Sequence, residues 1–417
     1  MQRPSLWIMV VVLLVGIILL REPRFAAIED RFLGWLLSHT QGTGPSVPLT
    51  VVDIGRDALT SPGNEPKEQA DTAAAATTGP GISPLEFALF LQSVLEFQPG
   101  VIAFENVLKW HERDKDQEQV FLDQAMRAPK LVLGSQLGDM TDPDSQWAEI
   151  RGFPNVTGRR GELAAYAGVE RQPPEDLRLI STPGYTNLPT EYTSPIRVPL
   201  LFLYRGEVIP SFPLQTVLLW MKVTPAEAKV VLGSHIELPG DRRIPIAADG
   251  TLLFDPNTAT RARRMSLNEL LLAAQQRDTG TTDGAEPLDL RDHIVLARTP
   301  ANPLAPPDVF AAMIATIQGG KYLRRVSKIV DCVLLLMIGG AVPYLRRFER
   351  FDLLLYGIAA TAAYSLIALG VLTQWNLWLP GVLPLAAIWL TVLAAFIFRR
   401  KEDAANDATI VIPPPIA

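Results

Sequence analysis

Between Ile329 and Phe398 the chain carries three long apolar runs with only short polar breaks between them. They are IVDCVLLLMIGGAVPYL (329–345), LLLYGIAATAAYSLIALGVL (353–372) and LWLPGVLPLAAIWLTVLAAFIF (377–398). A helix needs roughly 20 residues to cross a bilayer, with about 17 near the lower limit. In hydrocarbon the backbone must satisfy its own hydrogen bonds, so runs of this length read as helices packed into a bundle. Small residues in the middle run (Gly357, Ala359, Ala360, Ala363) allow the helices to approach closely. Pro380 and Pro384 are expected to bend the last helix near its outer end.

A fourth apolar run, LWIMVVVLLVGIILL (6–20), opens the chain. It reads as an uncleaved anchor rather than a signal peptide. Arg21 and Glu22 follow the run directly, and the small pair Ala26-Ala27 has Arg24 where a cleavage site wants a small residue. Basic residues near span ends set orientation. Arg346, Arg347 and Arg350 lie between the second and third spans, and Arg399, Arg400 and Lys401 follow the last. The TQWN link (373–376) has no basic residue. Both basic clusters are therefore expected in the cytoplasm, with residues 21–328 outside and both termini inside. Lys321, Arg324, Arg325 and Lys328 run against this orientation, but long domains translocate largely regardless of charge. The expected division is an anchor (1–20), an outer domain (21–328), a three-helix bundle (329–398) and a short tail (399–417).

The outer segment is long enough for a substantial core. LTVVDIG (49–55) is a buried strand by its apolar, β-branched run. A helix follows in SPLEFALFLQSVLEF, with Ser83 as cap and Pro84 as first residue. GVIAFE (100–105) is the next strand. QEQVFLDQAMRA is a helix with Val120, Phe121, Leu122 and Met126 inward, and KLVLGSQL is a third strand. Strand–helix alternation with short links implies a largely parallel sheet, hence an α/β domain. Two stretches interrupt it: a mobile insertion at 61–81, and an irregular excursion at 139–195 rich in Pro, Gly, Asn and Arg. Beyond them come a hairpin turning at Arg205-Gly206 and a helix in FPLQTVLLWMKV. TPAEAKVVLG reads as a helix between a Thr224 cap and a Gly233 stop. Short strands, a helix capped by Ser266, the strand DHIVLA, and a helix ending at Gly319-Gly320 complete the domain.

In this order the segments resemble the type-two CHASE domain, the cyclase/histidine-kinase-associated sensory extracellular domain. The carriers are VVDIG with Asp53, PGVIAFENVL with Glu105 where the family usually has Asp, DQEQVFLDQAM, RRMSLNELL, LRDHIVLARTP and AAMIATIQGGKYLRR. The single anchor before the domain and three close spans after it match as well. The Trp-Pro-Trp-type stretch expected after the first strand is replaced by GISPLEF, and Ala297 stands where the late strand usually ends in Gly. The resemblance implies a sensor of the bacterial inner membrane. Such domains usually precede a cyclase or kinase, which the 399–417 tail does not hold.

The net charge of −6 does not favour nucleic acid as a partner. The single cysteine, Cys332, excludes a disulfide framework. No phosphate loop, dinucleotide fingerprint, nucleophile elbow or paired-histidine zinc motif occurs, so no catalytic residue, metal set or cofactor is assigned. The best candidate site is the carboxyl end of the parallel strands, where ligands bind in open α/β sheets. Asp53 and Glu105 end two strands read as neighbours, with Arg56 and His111 near them in sequence. The two carboxylates either hold a cationic or hydroxylated ligand or cap nearby backbone. The first functional reading is a membrane-anchored receptor for an extracytoplasmic ligand. It would signal, alone or as a homodimer, through a separate cytoplasmic kinase or cyclase. A structural envelope protein and an outward-facing hydrolase are the alternatives.

Overall fold

The computed structural model describes residues 23–40, 45–55, 83–110, 114–139, 151–188, 196–280, 288–299, 308–345 and 349–409. The expected anchor at 1–20, the insertion at 61–81, Arg56 and His111 lie outside them. The chain forms two compact units, Gly42–Tyr322 and a second built from Met1–Gln41 with Leu323–Ala417.

Among the described residues the α-helices are α1 (Pro23–Ser38), α2 (Pro84–Leu95), α3 (Lys115–Ala125), α4 (Glu175–Ile180), α5 (Phe212–Trp220), α6 (Leu267–Thr279), α7 (Val309–Gly319), α8 (Lys328–Gly340), α9 (Val342–Leu345), α10 (Arg350–Trp375) and α11 (Val382–Thr409). The main sheet holds β1 (Leu49–Asp53), β2 (Val101–Phe104), β3 (Leu131–Gly138), β4 (Gly168–Arg171), β5 (Thr182–Tyr185), β6 (Arg263–Ser266) and β7 (Ile294–Arg298).

Its order is β6-β1-β7-β2-β3-β4, with β5 also paired to β3. Every pairing is parallel except β3 with β4. The central strands β1, β2 and β7 are short and buried throughout, as the sequence implied, whereas β6 and β4 at the sheet edges carry exposed residues. Side chains alternate between the faces along each strand. Val51, Ala103, Val132 and Leu296 pack on the side of α5 and α7. Val52, Phe104, Leu133 and Val295 pack on the side of α2, α3 and α6. That second side holds an aromatic knot in which Phe87, Phe104 and Phe121 meet edge to face at 5.6 to 6.4 Å.

The helix termini follow local chemistry. Ser83 Oγ accepts from the Leu85 amide, with Pro84 as the first helical residue of α2. Ser266 and Glu269 form a reciprocal capping box at the start of α6, and Gly280 closes it at φ +68°.

Several expectations are corrected. In α3, Phe121 and Ala125 are buried, Leu122 packs partly buried against the core, and Val120 and Met126 are exposed, because the helix turns a narrow face to α2. TPAEAKVVLG is not a helix. Thr224 donates from its amide and hydroxyl to the Glu227 carboxylate in a single turn, and Lys229–Val231 then joins a four-stranded sheet. The sequence 139–195 is less irregular than its composition implied. Its described part supplies β4, β5 and α4, so the main sheet extends through it.

In the second unit, Phe351–Trp375 is the one helix among the described residues long and apolar enough to cross a membrane. Ile329–Gly340 and Val382–Phe396 are shorter apolar helices. The run expected to be one helix over 329–345 breaks at Ala341 after Gly339-Gly340, where Pro343 brings no amide donor. The last helix starts at Val382 rather than 377, because Leu377–Trp378 is a short strand and Pro380-Gly381 intervenes.

Candidate functional site

At the carboxyl edge of the sheet each of the three central strands ends on a charge. Asp53 closes β1, Arg298 closes β7, and Glu105 follows β2 directly. The sequence reading placed Asp53 and Glu105 on adjacent strands. The structure separates them: β7 runs between β1 and β2, so the two carboxylates lie two strand spacings apart, about 9–10 Å. The residue brought beside Asp53 is Arg298, its direct register partner.

Register explains the pairing. Aligned residues of a parallel ladder point to the same face, and here that face is the side of α7. Arg298 Nε donates to Asp53 Oδ1 at 2.7 Å, with side-chain exposures of 4% and 7%. Arg298 Nη1 also donates to Asp308 Oδ1, which further accepts from Arg264 Nη2. Asp308 is the residue before α7 and sits in the left-handed region at φ +68°, which Asp tolerates better than most residues. The result is a chain of alternating charges, Asp53–Arg298–Asp308–Arg264. It is dry at the Asp53 end and opens to solvent at Asp308 (29% exposed) and Arg264 (41%). Charge-assisted bonds of this kind are about twice as strong as neutral ones.

Glu105 is buried and has its own interaction partners. Behind it, Asn106 Nδ2 donates to Thr299 Oγ1 at 2.8 Å, tying the ends of β2 and β7. Asn106 Oδ1 is buried and accepts no hydrogen bond. Gly134 on β3 leaves room for this turn, since a Cβ there would lie 2.8 Å from the carbonyl oxygens of Glu105 and Asn106. Among the described residues no three His, Cys, Asp or Glu side chains converge as a metal set.

The sequence did contain a signal for Arg298. It follows the apolar run IVLA as Asp53 follows LTVV and Glu105 follows VIAF. A charge closing a buried strand marked all three. Asp308 carried the weaker signal of an acid just before a helix.

A family model described as the CHASE2 domain matches residues 10–307, most of the chain. The chain belongs to the CHASE2 domain family. The resemblance read from VVDIG, GVIAFE and the late strand thus holds over residues 10–307, which stop short of the AAMIATIQGGKYLRR stretch. CHASE2 is an extracellular sensory domain rather than a catalytic one. No curated relative and no solved structure matches the chain.

Proposed function

We propose that this CHASE2 protein is a membrane-anchored sensor whose outer domain takes a small polar ligand at the carboxyl edge of its parallel sheet. In this reading the sensor is a multi-pass protein of the bacterial inner membrane, with the domain outside and both termini in the cytoplasm. It passes the change to a separate cytoplasmic protein, a kinase or a cyclase, and a homodimer is its working form. The single observation that carries the reading is the Asp53–Arg298–Asp308–Arg264 chain, buried at one end and open to solvent at the other. A charged ligand at the open end competes for Asp308 or Arg264, and the exchange is felt at the buried pair. A ligand that binds one arrangement better than the other shifts the population between them. The separation of Asp53 from Glu105 and its engagement by Arg298 leave the hydrolase alternative without its paired acids.

The chain path supports the expected topology. Arg324–Arg325 pairs with Leu377–Trp378, which sets the start of α8 beside the turn between α10 and α11. Three passes with that turn outside and Arg346, Arg347 and Arg350 inside satisfy both the pairing and the basic clusters at Arg399, Arg400 and Lys401. Arg325 donates to Asp331 at 3.1 Å, so its charge is compensated within the unit and weighs little against this orientation.

Two measurements test the reading. With Cys332→Ser as background, a cysteine at exposed Arg243 should react with an impermeant maleimide on intact cells, and one at Asn406 should not. Screening amino acids, sugars and carboxylates by thermal shift should find a compound that raises the melting temperature of the intact protein but not of Arg264→Ala. Labelling of Asn406→Cys alone overturns the topology. Equal shifts in both proteins overturn the site.

A further inference from the structure

The segments that precede and follow the outer domain, α1 and residues 324–326, belong to the same compact unit as α10 and α11. Both are bound to one short stretch, the turn Asn376–Val382. On one side, Arg324 N donates to Asn376 O at 3.0 Å and Val326 N to Trp378 O at 3.1 Å. The Arg325 guanidinium lies 5.7 Å from the centre of the Trp378 ring while it holds buried Asp331. On the other side, the Glu29 carboxylate of α1 accepts from two successive amides, Gly381 N at 2.8 Å and Val382 N at 2.9 Å. These are amides that the first turn of α11 leaves without intrahelical partners. Gly381 has no side chain where Phe32 of α1 lies against it; a Cβ there would overlap the ring. The turn is fixed to α10 as well, because Tyr364 OH donates to Pro380 O.

We propose that the 376–382 turn is a clasp. It holds the incoming helix α1 and the outgoing strand 324–326 as one unit, so that a displacement of either segment reaches α10 and α11 together. A sensor tethered at both ends needs such a joint, since motion at one tether alone would be absorbed by the slack of the other. The proposal rests on the sensor reading for its purpose, but its test uses no ligand, so the clasp and the sensing site stand or fall separately.

The test is hydrogen exchange by mass spectrometry on the intact protein in lipid nanodiscs, comparing wild type with Glu29→Ala and Gly381→Ala. In both variants the amides of 381–382 and also those of 324 and 326 should exchange at least tenfold faster, while the β7 amides (294–298) keep the wild-type rate. Acceleration confined to 381–382 would reduce Glu29 to a local helix cap and overturn the clasp, as would unchanged exchange throughout. Should Glu29→Ala disturb β7 as well, Glu29→Gln, which keeps one carbonyl acceptor, decides by the same comparison of 324 and 326 with 381–382.

Discussion

Replacing Arg298 by Met probes the buried end of the charge chain. Methionine keeps much of the apolar stem but leaves the Asp53 carboxylate, only 7% exposed, without the guanidinium that meets it at 2.7 Å. Breaking a buried pair by removing one partner costs about 3–5 kcal/mol. Asp308 keeps Arg264, so the loss falls on Asp53 and the lower end, about 3 kcal/mol, applies. Urea unfolding of the intact protein in detergent, followed by near-ultraviolet circular dichroism, should then show the outer-domain midpoint falling by at least about 1 M, given slopes of about 1–3 kcal/mol per M. Asp53→Asn in the same background removes the charge that Arg298 meets. The double variant should recover at least about 1.5 kcal/mol over the sum of the single effects, within the range seen for residues in direct contact. A midpoint for Arg298→Met equal to wild type, or a double variant equal to the sum, would refute the claim that this pair is coupled and buried.

Further predictions concern the frame around the site. Gly134→Ala should destabilise the outer domain by about 1–3 kcal/mol, because the new Cβ meets backbone carbonyls that cannot swing away; a melt like wild type would show that the Glu105–Asn106 turn yields freely. Ser266→Ala should cost about 1 kcal/mol by removing the capping-box hydroxyl, and a loss under a few tenths in the same urea titration would contradict it. Burial pushes His293 below its ordinary value of 6.5, helped by Arg263 and opposed by Asp289 and Asp292. The unfolded ring then takes up a proton first, so stability is fully present above pH 6.5 and is lost as pH falls from there through the lower folded value. His293→Gln should flatten that fall, and an unchanged pH profile would refute the assignment.

The sequence carried the elements of the outer domain more fully than their arrangement. Strands such as LTVV and VIAF announce themselves because a strand buried on both faces is mostly apolar and β-branched, and Ser83, Pro84 and Ser266 mark helix starts by chemistry that is local. Strand order is a different kind of information. The slot between β1 and β2 is filled by β7, and Asp53 meets an arginine 245 residues away. Nothing local tells a chain to leave that slot open. The excursion at 139–195 was misread for a related reason: Pro, Gly and Asn mark turns, but strands as short as Gly168–Arg171 gain their stability from the sheet edge they join and need little periodicity of their own.

The same reasoning explains why only part of the charge network was legible in the sequence. A charged residue ending a buried strand can be found from sequence, and Asp53, Glu105 and Arg298 all meet that description. Which of them pair depends on order and register. Had β1 and β2 been neighbours, two acids would have faced each other, and the site would favour a cation. With β7 inserted, its arginine neutralises Asp53, and the open end of the network presents Asp308 and Arg264 instead. One strand insertion therefore changes the chemistry of the edge from paired acids to an alternating chain. If this edge is the binding site, as proposed, its ligand should be sought among molecules that can exchange with an ion pair rather than among bare cations.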